Sequence, residues 1–300
     1  MENLPKDHFV TSLQFTKNVY QDVYPSIEPT RPELSVAGKV VIVTGASRGI
    51  GARGIAPAFA KAGAKAIVLV ATNAAKLATV EASLKAINPN VQLLSVATNI
   101  ADEASVANLF ATVKANFGHA DILIHNAAVS NGAGVIHEQD VDTWWSNFEV
   151  NTKGTFLLAK SFITALPTPD TPATLVNVTT AGAWLVIPFM AGYSTSKLAS
   201  QQLLAHFAAA YPSLTTISLH PGLVDTDMTD PAFERFNKDT PELVGGVAVW
   251  LTSEKAKFLS GRAIAAQWSV DDLVEREKEI VEGGLLQMAL NGKLGKEQFQ

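Results

Sequence analysis

Lys39-Val40-Val41-Ile42-Val43-Thr44-Gly45-Ala46-Ser47-Arg48-Gly49-Ile50-Gly51 reads as a buried strand, a glycine-rich turn and the first turn of a helix. The strand is a continuous β-branched apolar run, the pattern of a strand covered on both faces rather than one with a wet side. Gly45, Gly49 and Gly51 let the chain reverse sharply and let a pyrophosphate approach the backbone, where the helix N-terminus supplies positive dipole. The helical pattern runs on from about Gly49 to Ala62. Pro57 interrupts it, and an interior proline predicts a kink or a short helix.

The same alternation continues downstream. Apolar runs recur at 66–70, 91–96, 121–125, 174–178 and 215–219, with a weaker one at 263–266 and helical stretches between them. Strands alternating with helices predict an α/β fold, a doubly wound parallel sheet with helices on both faces. Two segments fall outside it. Residues 1–37 carry Pro5, Pro25, Pro29 and Pro32 among scattered aromatics and suggest an arm laid on the body, so that residues 38–269 form the main domain. Residues 270–300 begin with a charged, helix-prone stretch and predict a C-terminal helical appendage.

The 300-residue chain is 47% hydrophobic and 17% charged, which predicts a compact protein with a sizeable core. A net charge of −5 gives no footprint for nucleic acid. There is no cysteine, so disulfides and thiolate metal sites are excluded. The six histidines show no metal-ligand spacing and read as ordinary surface or core residues; no metal is expected. No apolar run reaches the roughly 18 residues that a membrane span needs, and Met1–Val10 lacks a signal-peptide apolar region. A cytoplasmic protein without a membrane partner is the expectation.

The chemistry gathers around Tyr193-Ser194-Thr195-Ser196-Lys197. A tyrosine and a lysine four apart share one helix face, and an ammonium near a phenol stabilises the phenolate and lowers a pKa that is otherwise about 10. Thr180 lies upstream of this pair, and Asn151 and Asn126-Ala127-Ala128 before that. The ordered array, from the glycine turn through Asn126, Asn151 and Thr180 to Tyr193 and Lys197, resembles the short-chain dehydrogenase/reductase family over roughly residues 38–265. The resemblance implies a single Rossmann-type sheet of about seven strands. It also implies that Tyr193 is the general acid/base, Lys197 lowers its pKa and bonds the nicotinamide ribose, Asn151 supports a proton-returning water chain, and Thr180 orients the substrate. The family normally has serine at that last position; threonine keeps the hydroxyl but adds a methyl and a stiffer χ1.

The cofactor implied is NADP(H), in preference to NAD(H). An NAD site usually places a carboxylate about 20 residues past the glycine turn, yet no acid occurs between Gly63 and Lys76. Arg48 resembles the basic residue of NADP-dependent members, with Ser47 and Thr72 as hydroxyl donors. Gly45, Gly49, Ile50 and Gly51 would form the pyrophosphate turn. By the same resemblance Asn99, Asn126 and Ala127 flank the adenine side. Ala128 stands where the family has glycine. Pro221, Gly222, Val224 and Thr226 resemble the segment that holds the nicotinamide amide.

The stretch Ala183 to Met190 is apolar and uncharged, with Trp184 and Phe189 as candidate substrate contacts, and Met228 lies in a loop from Asp227 to Asp239 that reads as a lid. The expectation is an oxidoreductase interconverting a hydrophobic ketone and a secondary alcohol. Two other readings stand beside it: a redox-neutral isomerase, epimerase or cyclisation catalyst on the same scaffold, and a non-catalytic nucleotide-binding protein. The arm and the segment from Ser260 to Trp268 resemble fungal members tied to secondary metabolism. Many members have Asp-Gly-Gly where Gln267-Trp268 stands here. The helical stretches Thr143–Ala165 and Ser194–Ala210 suggest a homodimer, with a tetramer as the alternative.

Overall fold

A computed structural model describes residues 4–292 and 295–296. Residues 1–3, 293–294 and 297–300, at the ends of the expected arm and appendage, lie outside the described residues. Seven parallel strands form one sheet: β1 (Val40–Thr44), β2 (Ala66–Ala71), β3 (Gln92–Ala97), β4 (Ile122–His125), β5 (Ala173–Val178), β6 (Leu214–His220) and β7 (Arg262–Ala265). Their order is β3-β2-β1-β4-β5-β6-β7. The chain builds outward from β1 to β3, then returns to the other side of β1 and builds outward to β7. The reversal opens a crevice at the C-terminal ends of β1 and β4, the place where doubly wound sheets bind ligands.

Alternate residues of each strand feed two apolar clusters, one on each face. Val41 and Val43 of β1 join Ile67, Leu69, Ile122 and Ile124 on one side. Val40 and Ile42 join Val68, Leu123, Leu158 and Phe162 on the other. No helix among the described residues is long and apolar enough to cross a membrane.

Two helices carry a wide, π-type turn. The first runs from Gly49, takes this turn over Gly51–Ile55, and closes as a regular helix over Ala56–Lys61. Pro57 falls in the first turn of the regular part, where its missing N–H costs little. The sequence predicts a kink or a short helix at Pro57, and the structure has a regular helix of 6 residues continuous with the wide turn before it. Gly54 is pressed against the Pro241 carbonyl, so no side chain fits there. The second wide turn, Glu149–Lys153, joins Val141–Phe148 to Gly154–Thr164, and Asn151 sits within it. Such turns are rare and frequent near functional sites.

Residues 4–37 are pinned to the β6–β7 end of the body by aromatic contacts. Phe9 meets Phe233 and Phe236 edge-on, Phe15 leans on Trp268, and Tyr20 stacks on Tyr24. The Trp268 indole donates to the Leu13 carbonyl, and the Val270 amide donates to the Tyr24 hydroxyl. Burial raises the Tyr24 phenol well above the usual tyrosine range. Two short helices, Val270–Glu275 and Glu277–Glu282, follow β7.

Candidate active site

The glycine turn is braced from β4. The Asn126 amide donates to the Thr44 and Gly45 carbonyls, at 3.1 and 3.3 Å. A Cβ at Gly51 would collide with the Gly45 carbonyl, so the turn itself demands that glycine. At Gly49 the demand is conformational, with φ +57°, and an added Cβ would meet only the Thr226 methyl at 3.5 Å. Ser47, Arg48, Gly49, Ala52 and Arg53 face Asp225, Thr226 and Asp227 across a cavity of about 590 Å³. A helix start, bare backbone at Gly49 and this open space fit a nicotinamide dinucleotide.

Arg48 does not stand free in this cavity. Its guanidinium donates to Asp227 at 3.1 Å, both side chains being exposed, and Arg53 donates to the Asp225 carbonyl. Thr72 is exposed at the end of β2, and Asn73 beside it caps the next helix by accepting from Lys76 N. Asn99 is exposed, and its side-chain oxygen, expected toward adenine, already accepts from Ala101 N within its own turn. The Val224 carbonyl accepts from Thr229, and the Thr226 hydroxyl accepts from Met228 N, so both hold the loop in shape.

Tyr193 and Lys197 lie in the helix Ala191–Ala210. Burial pushes the Tyr193 phenol up to about 12, and a hydrogen bond from the Thr180 side chain works against that rise. Thr180 itself caps the short turn after β5 by accepting from Gly182 N. Lys197 is buried, donates to the Val178 carbonyl at 2.6 Å, and is held down to about 8 by desolvation. The charge of Lys197 also bears on His125.

The Asn151 side chain is fully engaged. Its oxygen accepts from Val129 N, and its amide donates to the Val129 carbonyl and to Ser196 Oγ. Ser196 in turn donates to the Tyr193 carbonyl at 2.7 Å. Asn151 thereby fastens the loop after β4 to the helix that carries Tyr193.

His125 is a buried part of this site that its residue type alone does not announce. Thr44 Oγ1 accepts from Asn126 N and Ala127 N, so its proton goes to His125 Nδ1 at 3.0 Å. The ring proton then sits on Nε2 and goes to Thr155 Oγ1, which donates to the Asn151 carbonyl at 2.6 Å. Burial first, and Lys197 second, keep the imidazole neutral, with its pKa down to about 3. The chain runs unbroken from the glycine turn to the turn of Asn151. Its one clue in the sequence is position, at a strand end directly before Asn126.

The substrate side departs from expectation at Trp184. Its indole is tied inward, donating to Gln201 at 2.8 Å, stacking on Trp268 and meeting His220 edge-on, which makes it part of the body. Phe189 is exposed in a left-handed conformation, φ +69°, rarely adopted by an aromatic residue. Its carbonyl accepts from Gly134 N, joining two loops whose apolar tips, Leu185, Val186, Val135 and Ile136, are exposed. Met228 is exposed on the third loop.

Residues 39–236 match the family model described as short chain dehydrogenase. The chain belongs to the short-chain dehydrogenase family. Similar proteins include the short chain dehydrogenase mpl6 of Monascus purpureus, 37% identical over 94% of this chain and 99% of that protein. The short chain dehydrogenase andI of Emericella variicolor is 34% identical over 92% and 96%. Among solved structures, levodione reductase superposes with a TM-score of 0.72 over 76% of this chain and 96% of its own, at 21% identity. A short chain dehydrogenase structure from Pseudomonas syringae gives 0.71 over 79% and 98%, at 28% identity. Members of this family are oxidoreductases that use a nicotinamide cofactor.

Proposed function

We propose that this member is an NADP(H)-dependent oxidoreductase that interconverts a hydrophobic ketone and a secondary alcohol. The observation that carries the reading is the Thr180–Tyr193 pair at the mouth of the crevice, with Lys197 one helical turn away. A bound nicotinamide supplies or accepts the hydride at the carbinol carbon. Tyr193, protonated throughout the neutral range, gives its phenolic proton to the substrate oxygen as negative charge develops there. Thr180 donates a hydrogen bond either to that oxygen or to the phenol, and so fixes the distance between them. Lys197, held as a buried cation near neutrality, favours the phenolate left behind. Asn151 and the Thr44–His125–Thr155 chain hold this group in register with the cofactor turn.

The preference for NADP(H) rests on the acid-free end of β2 and on Arg48 at the cavity. The apolar loop tips support a hydrophobic substrate, and the similarity to fungal relatives supports a place in secondary metabolism. We assign the homodimer to the helix Val141–Thr164, whose Val141, Trp145 and Phe156 are exposed on one face. A panel of hydrophobic ketones with NADPH tests the function. Consumption of NADPH with alcohol formation is the expected result; turnover without net cofactor use would replace this reading with a redox-neutral one.

A further inference from the structure

Asp239 carries a carboxyl group that the reaction does not use. It lies between the loop after β6 and the helix Pro241–Trp250, and only 2% of the residue is exposed. Its Oδ2 accepts from Leu223 N at 2.6 Å and from the Gln267 amide at 2.8 Å. Its own backbone N–H donates to the Leu223 carbonyl, and Val224 and Asp239 pair as a parallel bridge. Gly222, at φ +81°, leaves no room for a Cβ against this carboxyl. The side chain is therefore packed directly on the backbone of Gly222–Val224.

The other side of Asp239 faces the N-terminal arm. Gln267, directly after β7, donates also to the Phe9 carbonyl at 3.3 Å, and its own carbonyl accepts from Tyr20 N at 2.8 Å. The Gln21 amide approaches the carboxyl and donates to the Lys238 carbonyl, while the Gln21 carbonyl accepts from Thr240 N. Three segments distant in sequence meet at one carboxyl group.

We propose that Asp239 is a positioning residue that couples docking of the N-terminal arm to cofactor binding, by fixing the backbone of Gly222–Val224 against Gln267 and Gln21. This rests on the reading of that segment as the holder of the nicotinamide. Coupling of this kind is reciprocal: whatever seats the segment also seats the arm.

The coupling is pH-sensitive. Burial pushes the Asp239 carboxyl up to about 7. The ionisable groups on the elements around it do not neutralise it. Lys238 donates to the Phe233 carbonyl, Asp22 accepts from Thr240, and Asp225 stands at the cavity mouth. His220 is kept neutral, at about 4, by burial, and Glu242 begins the following helix. In the protonated form Oδ1, buried without a hydrogen bond, carries the proton, and Oδ2 keeps both of its donors. Asparagine reproduces that form. Ionisation places an uncompensated charge under the segment and loosens it as pH rises through 7.

The test measures NADPH affinity at pH 6 and pH 9 in the full chain, together with amide exchange of the arm with and without NADPH. The parent is expected to bind NADPH, and binding to slow exchange over residues 8–24. Asp239→Ala should weaken NADPH about tenfold and abolish that response, while Asp239→Asn should match the parent at pH 6 and lose the parent's further weakening toward pH 9. Gln21→Ala, which leaves the Asp239 carboxyl with its Leu223 and Gln267 donors, should weaken NADPH severalfold and serves if Asp239→Ala does not fold. A parent that binds no NADPH overturns the cofactor reading. A parent that binds, with Asp239→Ala and Gln21→Ala binding equally well, overturns the coupling alone.

Discussion

Thr180, on the turn that ends β5, acts against the rise of the Tyr193 phenol, while Lys197, one helical turn beyond Tyr193, donates to the Val178 carbonyl. On the proposed reading the hydroxyl at position 180 has two duties, to aim the phenol and to receive the substrate oxygen. Thr180→Ser should keep both and stay within about tenfold of the parent kcat. Thr180→Ala should lose about 10²-fold, the usual cost of one donor at a developing oxyanion. Steady-state reduction of a responsive ketone measures both, and an alanine variant with parent kcat would remove Thr180 from the mechanism.

Replacing the phenol is the sharper experiment. Tyr193→Phe should lower kcat by roughly 10²–10⁴-fold, the range of a general acid, and leave cofactor affinity nearly intact. Fluorescence titration of NADPH with the variant separates the two effects.

Lys197 makes a prediction about stability whose sign follows from its lowered pKa. The ammonium is held at about 8 in the folded chain against an ordinary value of 10.5, so the unfolded chain binds the proton more tightly between these values. Stability then rises with pH from about 8 to 10.5, because the cost of the buried charge is present below 8 and relieved above it. Lys197→Met should be inactive yet more stable at pH 7, on the order of 3 kcal/mol before packing losses. Its Tm advantage should shrink as pH climbs through that window.

The helix face bearing Val141, Trp145 and Phe156 predicts an assembly. These apolar groups are exposed in the single chain although Trp145 is anchored, its indole donating to Glu149. Trp145→Asp combined with Phe156→Asp should leave the fold intact and shift the mass seen by sedimentation or light scattering from dimer to monomer. A double variant that remains dimeric would place the interface elsewhere.

The proposed preference for NADP(H) depends on Arg48, which in this structure pairs with Asp227. A 2′-phosphate would have to compete with that carboxylate. The pair is exposed, so the competition is worth no more than about 1 kcal/mol. Arg48→Ala should weaken NADPH about tenfold and leave NADH unchanged. Asp227→Asn should tighten NADPH by up to about fivefold, again without effect on NADH.

The sheet was legible because its strands are short, mostly apolar and β-branched runs that alternate regularly with longer helical stretches. Pro57 was legible as a break in regular helix, since a proline cannot bond back to the preceding turn. Of the proposed site, the sequence marks the residues whose type has one chemical use: Tyr193 with Lys197, or the glycines of the turn. Trp184 reads from the sequence as a candidate substrate contact, and its ties to Gln201 and Trp268, which are distant in sequence, could not be read there. Asp239 was hidden for the same reason, its partners lying at positions 21, 223 and 267. The sequence around each of these residues is unremarkable, and only the fold brings the partners together.

His125 supplies the last test, because its neighbours fix its tautomer without ambiguity. Thr44 gives its proton to Nδ1, and Nε2–H serves Thr155, which holds the Asn151 carbonyl. His125→Leu fills the space but strips the Thr44 hydroxyl proton of its acceptor and the Thr155 oxygen of a donor, a combined cost of about 1–3 kcal/mol. His125→Gln keeps an acceptor and a donor and should recover part of that loss. The imidazole stays neutral down to about pH 3, so the loss of Tm in His125→Leu should be the same at pH 5 and pH 8. The change should also lower kcat, because the turn of Asn151 and the helix of Tyr193 are joined through Ser196. Thermal denaturation at the two pH values, with kcat measured beside it, checks both consequences. A loss of Tm that changes between pH 5 and pH 8 would mean that the ring takes up a proton within that range, so that Nδ1 no longer accepts from Thr44.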